Sequence, residues 1–149
     1  MPIRCKLCED NLINQKVLAR QLQKAKCTVT VANHGIEALE VLDSATCRTS
    51  SAGDHAHARQ IDVILMDVEM PEMDGLQCTR RIRKLESEGK ITRHLPIIAT
   101  TANVRQEQKD EALSAGVDSV LSKPFTVSEV LAKIRKVIAL VERNEGAVQ

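Results

Sequence analysis

The sequence predicts an α/β domain built on one doubly wound parallel sheet. Five short apolar or β-branched runs alternate along the chain with five helix-like segments, as a series of βαβ units requires. Two of the runs, "IDVILM" and "LPIIAT", are nearly continuous in their apolar character. Strands covered by helices on both faces read that way, whereas a half-exposed strand would alternate. At 149 residues the chain has the length of one domain with a real core.

The first strand is expected in "IRCKLC" (3–8), weakened by Arg4 and Lys6 to a short or frayed element. A helix follows in "NLINQKVLARQLQKA", with Ile13, Val17, Leu18, Leu22 and Ala25 on one face. The β-branched alternation of "CTVTV" (27–31) predicts a half-buried second strand, and "GIEALEVL" (35–42) a short helix. Periodicity is then lost through residues 43–60, which are rich in Ser, Thr, Ala, Gly and His. That stretch exceeds the ~12–15 residues usual for a loop in a compact domain and predicts a flexible insertion. "IDVILM" (61–66) is the third strand, and Cys78, Ile82 and Leu85 space the third helix. "LPIIAT" (95–100) is the fourth strand. The polar helix "RQEQKDEALSAG" comes next and ends on Gly116, and "VDSVL" (117–121) is the fifth strand. In the last helix, Thr126 and Glu129 form a capping box. Val127, Val130, Leu131, Ile134, Val137, Ile138 and Val141 make its core stripe. The domain core spans about 3–141, with 142–149 as a tail.

Right-handed crossovers and cover on both faces favour the flavodoxin-like (βα)5 arrangement, strand order 2-1-3-4-5 in three α/β/α layers.

Composition narrows the function. The chain lacks Trp and Tyr and has a single Phe, Phe125, so it has few rings on which nucleobases could stack. A net charge of +1 without a basic block argues against a duplex-binding surface, and nucleic acid is not an expected partner. No apolar stretch approaches the ~20 residues of a membrane span. "MPIRCKLCEDN" contains no signal-peptide core, so no membrane is expected and a cytoplasmic or nuclear location is the default. The five cysteines are scattered. Cys5 and Cys8 lie three apart in a strand, hence on opposite faces, which suits small packed thiols better than a redox pair or a zinc site. The histidines (His34, His55, His57 and His94) fall at loops or turn edges and read as solvated residues.

In open α/β sheets, ligands bind outside the carboxyl ends of the strands. Glu9 and Asp10 follow the first strand, Asp67 the third, Thr101 the fourth and Lys123 the fifth. Singly, each is an ordinary turn residue, and Asp10 or Asn11 could simply cap the first helix. Together they crowd three carboxylates into one crevice, where a pair ~4 Å apart repels by ~4 kcal/mol at an effective dielectric of 20. A hard divalent cation such as Mg²⁺ would offset that repulsion. Acids for a metal, a carboxylate to attack, and a lysine and hydroxyl for phosphoryl oxygens are equipment for phosphoryl transfer to a carboxylate. The glycine-rich P-loop pattern is absent.

These segments carry a family resemblance. "CEDNLINQKVL" resembles the acidic-pair segment of two-component response-regulator receiver domains, "ILMDVEMPEMDG" the phosphoacceptor segment, "PIIATTA" the hydroxyl segment and "LSKPF" the lysine segment. The wording around the acidic pair and the long insertion look most like receivers of fungal-type hybrid histidine kinases. The resemblance implies that Asp67 takes a phosphoryl group from a phosphohistidine, on a histidine phosphotransfer protein or a histidine kinase. It further implies that Asp10 and Asp67 bind Mg²⁺ with the Glu69 backbone carbonyl, Glu9 lying close by or acting through water. Lys123 would pair with the acyl phosphate, Thr101 would move toward it, and the Lys123–Pro124 bond would be cis.

The chain departs from the family at Val120, where a rotating Tyr or Phe is usual, which puts the aromatic half of the switch in doubt. A rival reading is a Mg²⁺-dependent haloacid-dehalogenase-like phosphohydrolase, which would want D-x-D-x-[TV] where this sequence has "DVEMP".

Overall fold

The computed structural model describes residues 3–33, 61–70, 74–89, 94–102 and 105–148, with side chains described as far as residue 143. Among these residues there are five strands: β1 (Arg4–Cys8), β2 (Thr28–Ala32), β3 (Val63–Asp67), β4 (Ile97–Thr101) and β5 (Ser119–Ser122). Four helices accompany them: α1 (Leu12–Lys24), α2 (Gly75–Ser87), α3 (Gln106–Ala115) and α4 (Val127–Val148). The helix expected over 35–42 and the insertion over 43–60 lie outside the described residues.

All strand pairs are parallel and the order is β2-β1-β3-β4-β5, as expected. Leu7, Leu65 and Ile98 sit side by side across the three central strands and fix their register. The pleat divides the apolar residues between two cores. Cys8, Ile64, Met66, Ile97 and Ala99 pack with Cys78 and Ile82 of α2 and with Ala112 and Ala115 of α3. Cys5, Leu7, Val63, Leu65 and Ile98 pack with Leu18 and Leu22 of α1 and with Val130, Ile134 and Val137 of α4. Each fully buried Leu or Ile contributes roughly 1.5–3 kcal/mol. Cys5 and Cys8 therefore do lie on opposite faces, and both are buried thiols outside any disulfide.

The expectation of a frayed first strand is overturned. β1 pairs along its length with β2 and also with β3. Arg4 is satisfied by Asp62, whose carboxylate accepts from its backbone N–H at 2.8 Å and from Nε at 3.1 Å. Lys6 is only 1% exposed, and its Nζ donates to the Val31 carbonyl at 3.4 Å. Partners inside the sheet, rather than apolar character, let these two cations occupy a central strand.

The buried face of α1 also differs from the one expected. Leu18 and Leu22 are buried, but Ile13 is 74% exposed and Val17 53%. Gln15 takes the inward position instead. Its amide donates to the Glu9 carbonyl at 2.9 Å and to Asn33 Oδ1 at 2.8 Å, tying α1 to the ends of β1 and β2. A polar residue can face inward here because those strand ends leave acceptors that need a donor.

The capping box at α4 forms as read, with Thr126 N–H on Glu129 Oε1 at 2.9 Å and Glu129 N–H on Thr126 Oγ1 at 3.2 Å. That helix runs on to Val148, so 142–148 continue it rather than forming a separate tail. His94 is not a solvated loop residue. Its Nε2 lies 2.8 Å from Asp118 Oδ1 and its Nδ1 3.4 Å from Glu86 Oε1, at the end of the sheet opposite to the carboxylates of Glu9 and Asp67. His34, His55 and His57 lie outside the described residues.

Candidate functional site

Parallel strands end at one edge, so a residue that closes each strand is delivered to a common crevice. Asp67 is the last residue of β3, Thr101 of β4, and Glu9 and Lys123 each follow the last residue of their strand. Asp67 is 3% exposed and Glu9 5%. Lys123 Nζ reaches both, at 3.2 Å from Asp67 Oδ2 and 3.5 Å from Glu9 Oε1. One carboxylate oxygen from each of Glu9, Asp10 and Asp67 falls within a 4.8 Å cluster. The three acids and the lysine named from sequence are thus brought together.

Local structure explains the placement. Asn11, not Asp10, caps α1, its Oδ1 accepting from Ile13 N–H and Asn14 N–H at 3.0 Å each. Asp10 is left exposed on the crevice rim with its carboxylate uncommitted to the cap. Asn11 N–H in turn donates to Glu9 Oε2 at 3.2 Å, which orients the inner acid. On the other side, α2 begins against the end of β3. A Cβ on Gly75 would stand 2.3 Å from the Asp67 carbonyl oxygen and 2.9 Å from Met66 Cγ, so only glycine permits this approach. Asp74 and Gln77 close that helix start with a capping box. The Lys123–Pro124 bond is cis, as the resemblance implied.

Electrostatics follow from burial. Burial pushes the Asp67 carboxyl up to about 7, reinforced by a hydrogen bond and charge repulsion from Glu9, while Lys123 pulls the other way. Burial works against the Lys123 ammonium, but the charges of Asp67 and Glu9 outweigh it and hold it above its ordinary value. Lys123 therefore faces several acids, and a carboxyl that resists ionising stands ready for further positive charge. Oxygen-only donors at this spacing fit a hard divalent cation and not a thiolate-seeking metal.

Glu69 does more than the sequence suggested. Its N–H donates to Asp67 Oδ1 at 3.1 Å, and its side chain, expected only as a bystander to a backbone carbonyl, accepts from Thr101 Oγ1 at 3.0 Å. Gln15 was missed altogether; a Gln among apolar positions on an otherwise regular helix face was the available signal. Val120 lies in β5 beside Ala99 and packs on the α2 and α3 side of the sheet.

The model of the response regulator receiver domain matches residues 6–135. The chain belongs to that family. Across 86% of its length the receiver is 37% identical to hybrid signal transduction histidine kinase L of Dictyostelium discoideum, covering 7% of that protein. The receiver spans between 5% and 14% of the length of the first curated relatives it matches. A solved structure of the receiver domain of sensor histidine kinase PA1611 from Pseudomonas aeruginosa, with magnesium coordinated in its active site cleft, superposes with a TM-score of 0.72. Identity there is 29%, covering 93% of this chain and 99% of that one. The receiver domain of Ssk1 from Saccharomyces cerevisiae, crystallised with the histidine phosphotransfer protein Ypd1, gives a TM-score of 0.75 at 26% identity, covering 93% and 90% of the two chains. Nothing in the site or among the relatives supports the phosphohydrolase reading.

Proposed function

We propose that this receiver accepts a phosphoryl group on Asp67 from a phosphohistidine and signals through the conformational change that follows. The observation that carries the proposal is the convergence of Asp67, Glu9 and Lys123 within 3.5 Å contacts at one sheet edge, with Thr101 ending the neighbouring strand. A carboxylate oxygen of Asp67 forms the O–P bond as the P–N bond breaks, and the imidazole nitrogen leaves with the electron pair. Lys123 neutralises charge on the phosphoryl oxygens, and Thr101 supplies a hydroxyl donor to them. The oxygen cluster suits Mg²⁺, with Asp10 and Asp67 as side-chain ligands, the Glu69 carbonyl beside them and Glu9 near or acting through water; when bound, the ion offsets negative charge on the group in transfer. Glu9 is already engaged by Lys123 and Asn11 N–H, whereas Asp10 is exposed, which favours Asp10 for the direct contact.

The donor is a histidine phosphotransfer protein or the phosphohistidine domain of a histidine kinase, supported by the likeness to the Ssk1 receiver. The role is that of a signalling receiver that assists its own modification, not an enzyme turning over a free substrate. A single receiver domain over 1–149 and a cytoplasmic location complete the reading. No helix among the described residues is long and apolar enough to cross a membrane.

The test is mass spectrometry after treatment with acetyl phosphate or a phosphorylated histidine phosphotransfer protein in Mg²⁺. A labile adduct of about 80 Da, one phosphoryl group on a carboxylate, is expected on the wild-type chain and not on Asp67→Asn. Undiminished labelling of Asp67→Asn overturns the assignment. Asp10→Asn should abolish labelling at millimolar Mg²⁺, and Glu9→Gln only weaken it.

A further inference from the structure

The acceptor and the hydroxyl that is to report on it are joined by one residue. Glu69 binds Asp67 Oδ1 through its N–H at 3.1 Å and holds Thr101 Oγ1 through its carboxylate at 3.0 Å. Thr101 is buried, while Glu69 is exposed, so the carboxylate can leave for water at little cost whereas the threonine stays with its strand. A threonine hydroxyl has one proton to donate. It can serve Glu69 or an oxygen on a modified Asp67, but not both at full strength. A phosphoryl group also adds roughly −1.5 to −2 charges. Placed on Asp67, that charge would stand two residues from Glu69 and repel its carboxylate while offering Thr101 a stronger acceptor.

We propose that the Glu69 side chain is a latch that holds the Thr101 hydroxyl in the resting receiver and releases it when Asp67 is modified. This deepens the reading of Asp67 as acceptor and rests on it. The two-state element is an exchange of acceptors by one hydroxyl, which needs no rotating ring at Val120. Glu69 is a positioning residue in this scheme: it sets where Thr101 rests and takes no part in the bonds made or broken at phosphorus. Coupling between modification and output then equals the difference in contacts between latched and released Thr101.

The test follows the Thr101 methyl resonance by NMR in the wild-type chain, Glu69→Gln and Glu69→Ala, before and after addition of Mg²⁺ and beryllofluoride, a stand-in for the phosphoryl group. In the unmodified chain Glu69→Ala should move the methyl toward its beryllofluoride-bound position, and Glu69→Gln should move it less because the amide oxygen still accepts. Beryllofluoride should bind Glu69→Ala about 10-fold more tightly than wild type, the scale of one lost hydrogen bond to a charged group. That gain should shrink in a Thr101→Ala background, where only the relief of charge repulsion is left. If wild type binds beryllofluoride while its Thr101 methyl ignores Glu69→Ala, or if the gain is undiminished without Thr101, the latch is overturned and the acceptor reading stands. If wild type takes up no beryllofluoride in Mg²⁺, the acceptor reading falls and the latch with it.

Discussion

Lys123 Nζ stands 3.2 Å from Asp67 Oδ2, although β4 lies between the strands that carry the two residues. The long lysine stem spans that strand and puts the crevice's cation against its most buried acid. With Glu9 Oε1 a further 3.5 Å from the same nitrogen, one ammonium holds two carboxylates together.

Removing that cation should therefore destabilise the metal-free protein. Lys123→Ala leaves Glu9 and Asp67 facing each other without compensation. The loss should be about 1–3 kcal/mol at pH 7, below the 3–5 typical of a fully buried pair because Lys123 is partly exposed. Urea unfolding checks this, and added Mg²⁺ should recover part of the loss.

Asp67→Asn should move stability the other way. The folded state lifts the Asp67 carboxyl from 3.8 to about 7, so between those values the native chain binds more protons than the unfolded one. Wild-type stability then falls as pH rises from about 4 to 7, and the neutral amide removes that loss. Asp67→Asn is expected to unfold at higher urea than wild type at pH 7.5 without metal, by on the order of 1 kcal/mol. The two curves should approach each other at pH 4.

At the opposite end of the sheet, stability should weaken in alkali. Hydrogen bonds to Asp118 and then to Glu86 push His94 up to about 9 from 6.5, against the effect of burial. Its contribution is complete below about pH 6.5 and is lost as pH rises through about 9. Burial alone would lift the Asp118 carboxyl, but hydrogen bonds from His94 and Ile97 N–H outweigh it and keep it below the usual carboxylate value. That second contribution is present above about pH 4 and fades as pH falls. Thermal unfolding from pH 6 to 10 should show a decline in wild type that is flattened in His94→Gln.

Gly75→Ala should fail structurally and functionally. The new methyl would meet the Asp67 carbonyl oxygen at 2.3 Å, and backbone atoms cannot swing aside. A loss of 2 kcal/mol or more is expected, of the size seen for overpacking. Displacement of the Asp67 segment should also lower Mg²⁺ affinity, measured by titration at a temperature where the variant remains folded.

The sequence by itself determined the layers, the strand order and the acids, hydroxyl and lysine at the strand ends. Those follow from short-range rules: continuous apolar runs make covered strands, and parallel strands deliver their last residues to one edge. Capping at Thr126–Glu129 was legible for the same reason, since its partners are three residues apart. Tertiary structure decided what depends on partners distant in the chain. Arg4 and Lys6 looked like faults in a strand until Asp62 and the Val31 carbonyl were brought beside them. Gln15 displaced Ile13 and Val17 from the expected helix face because the ends of β1 and β2 offered acceptors that no apolar side chain could satisfy. Glu69 gained its second role only when β4 carried Thr101 to within 3.0 Å of it, 32 residues along the chain. Hydrophobic periodicity is local and appears in the sequence, whereas a hydrogen bond between distant residues exists only once the sheet has set its register.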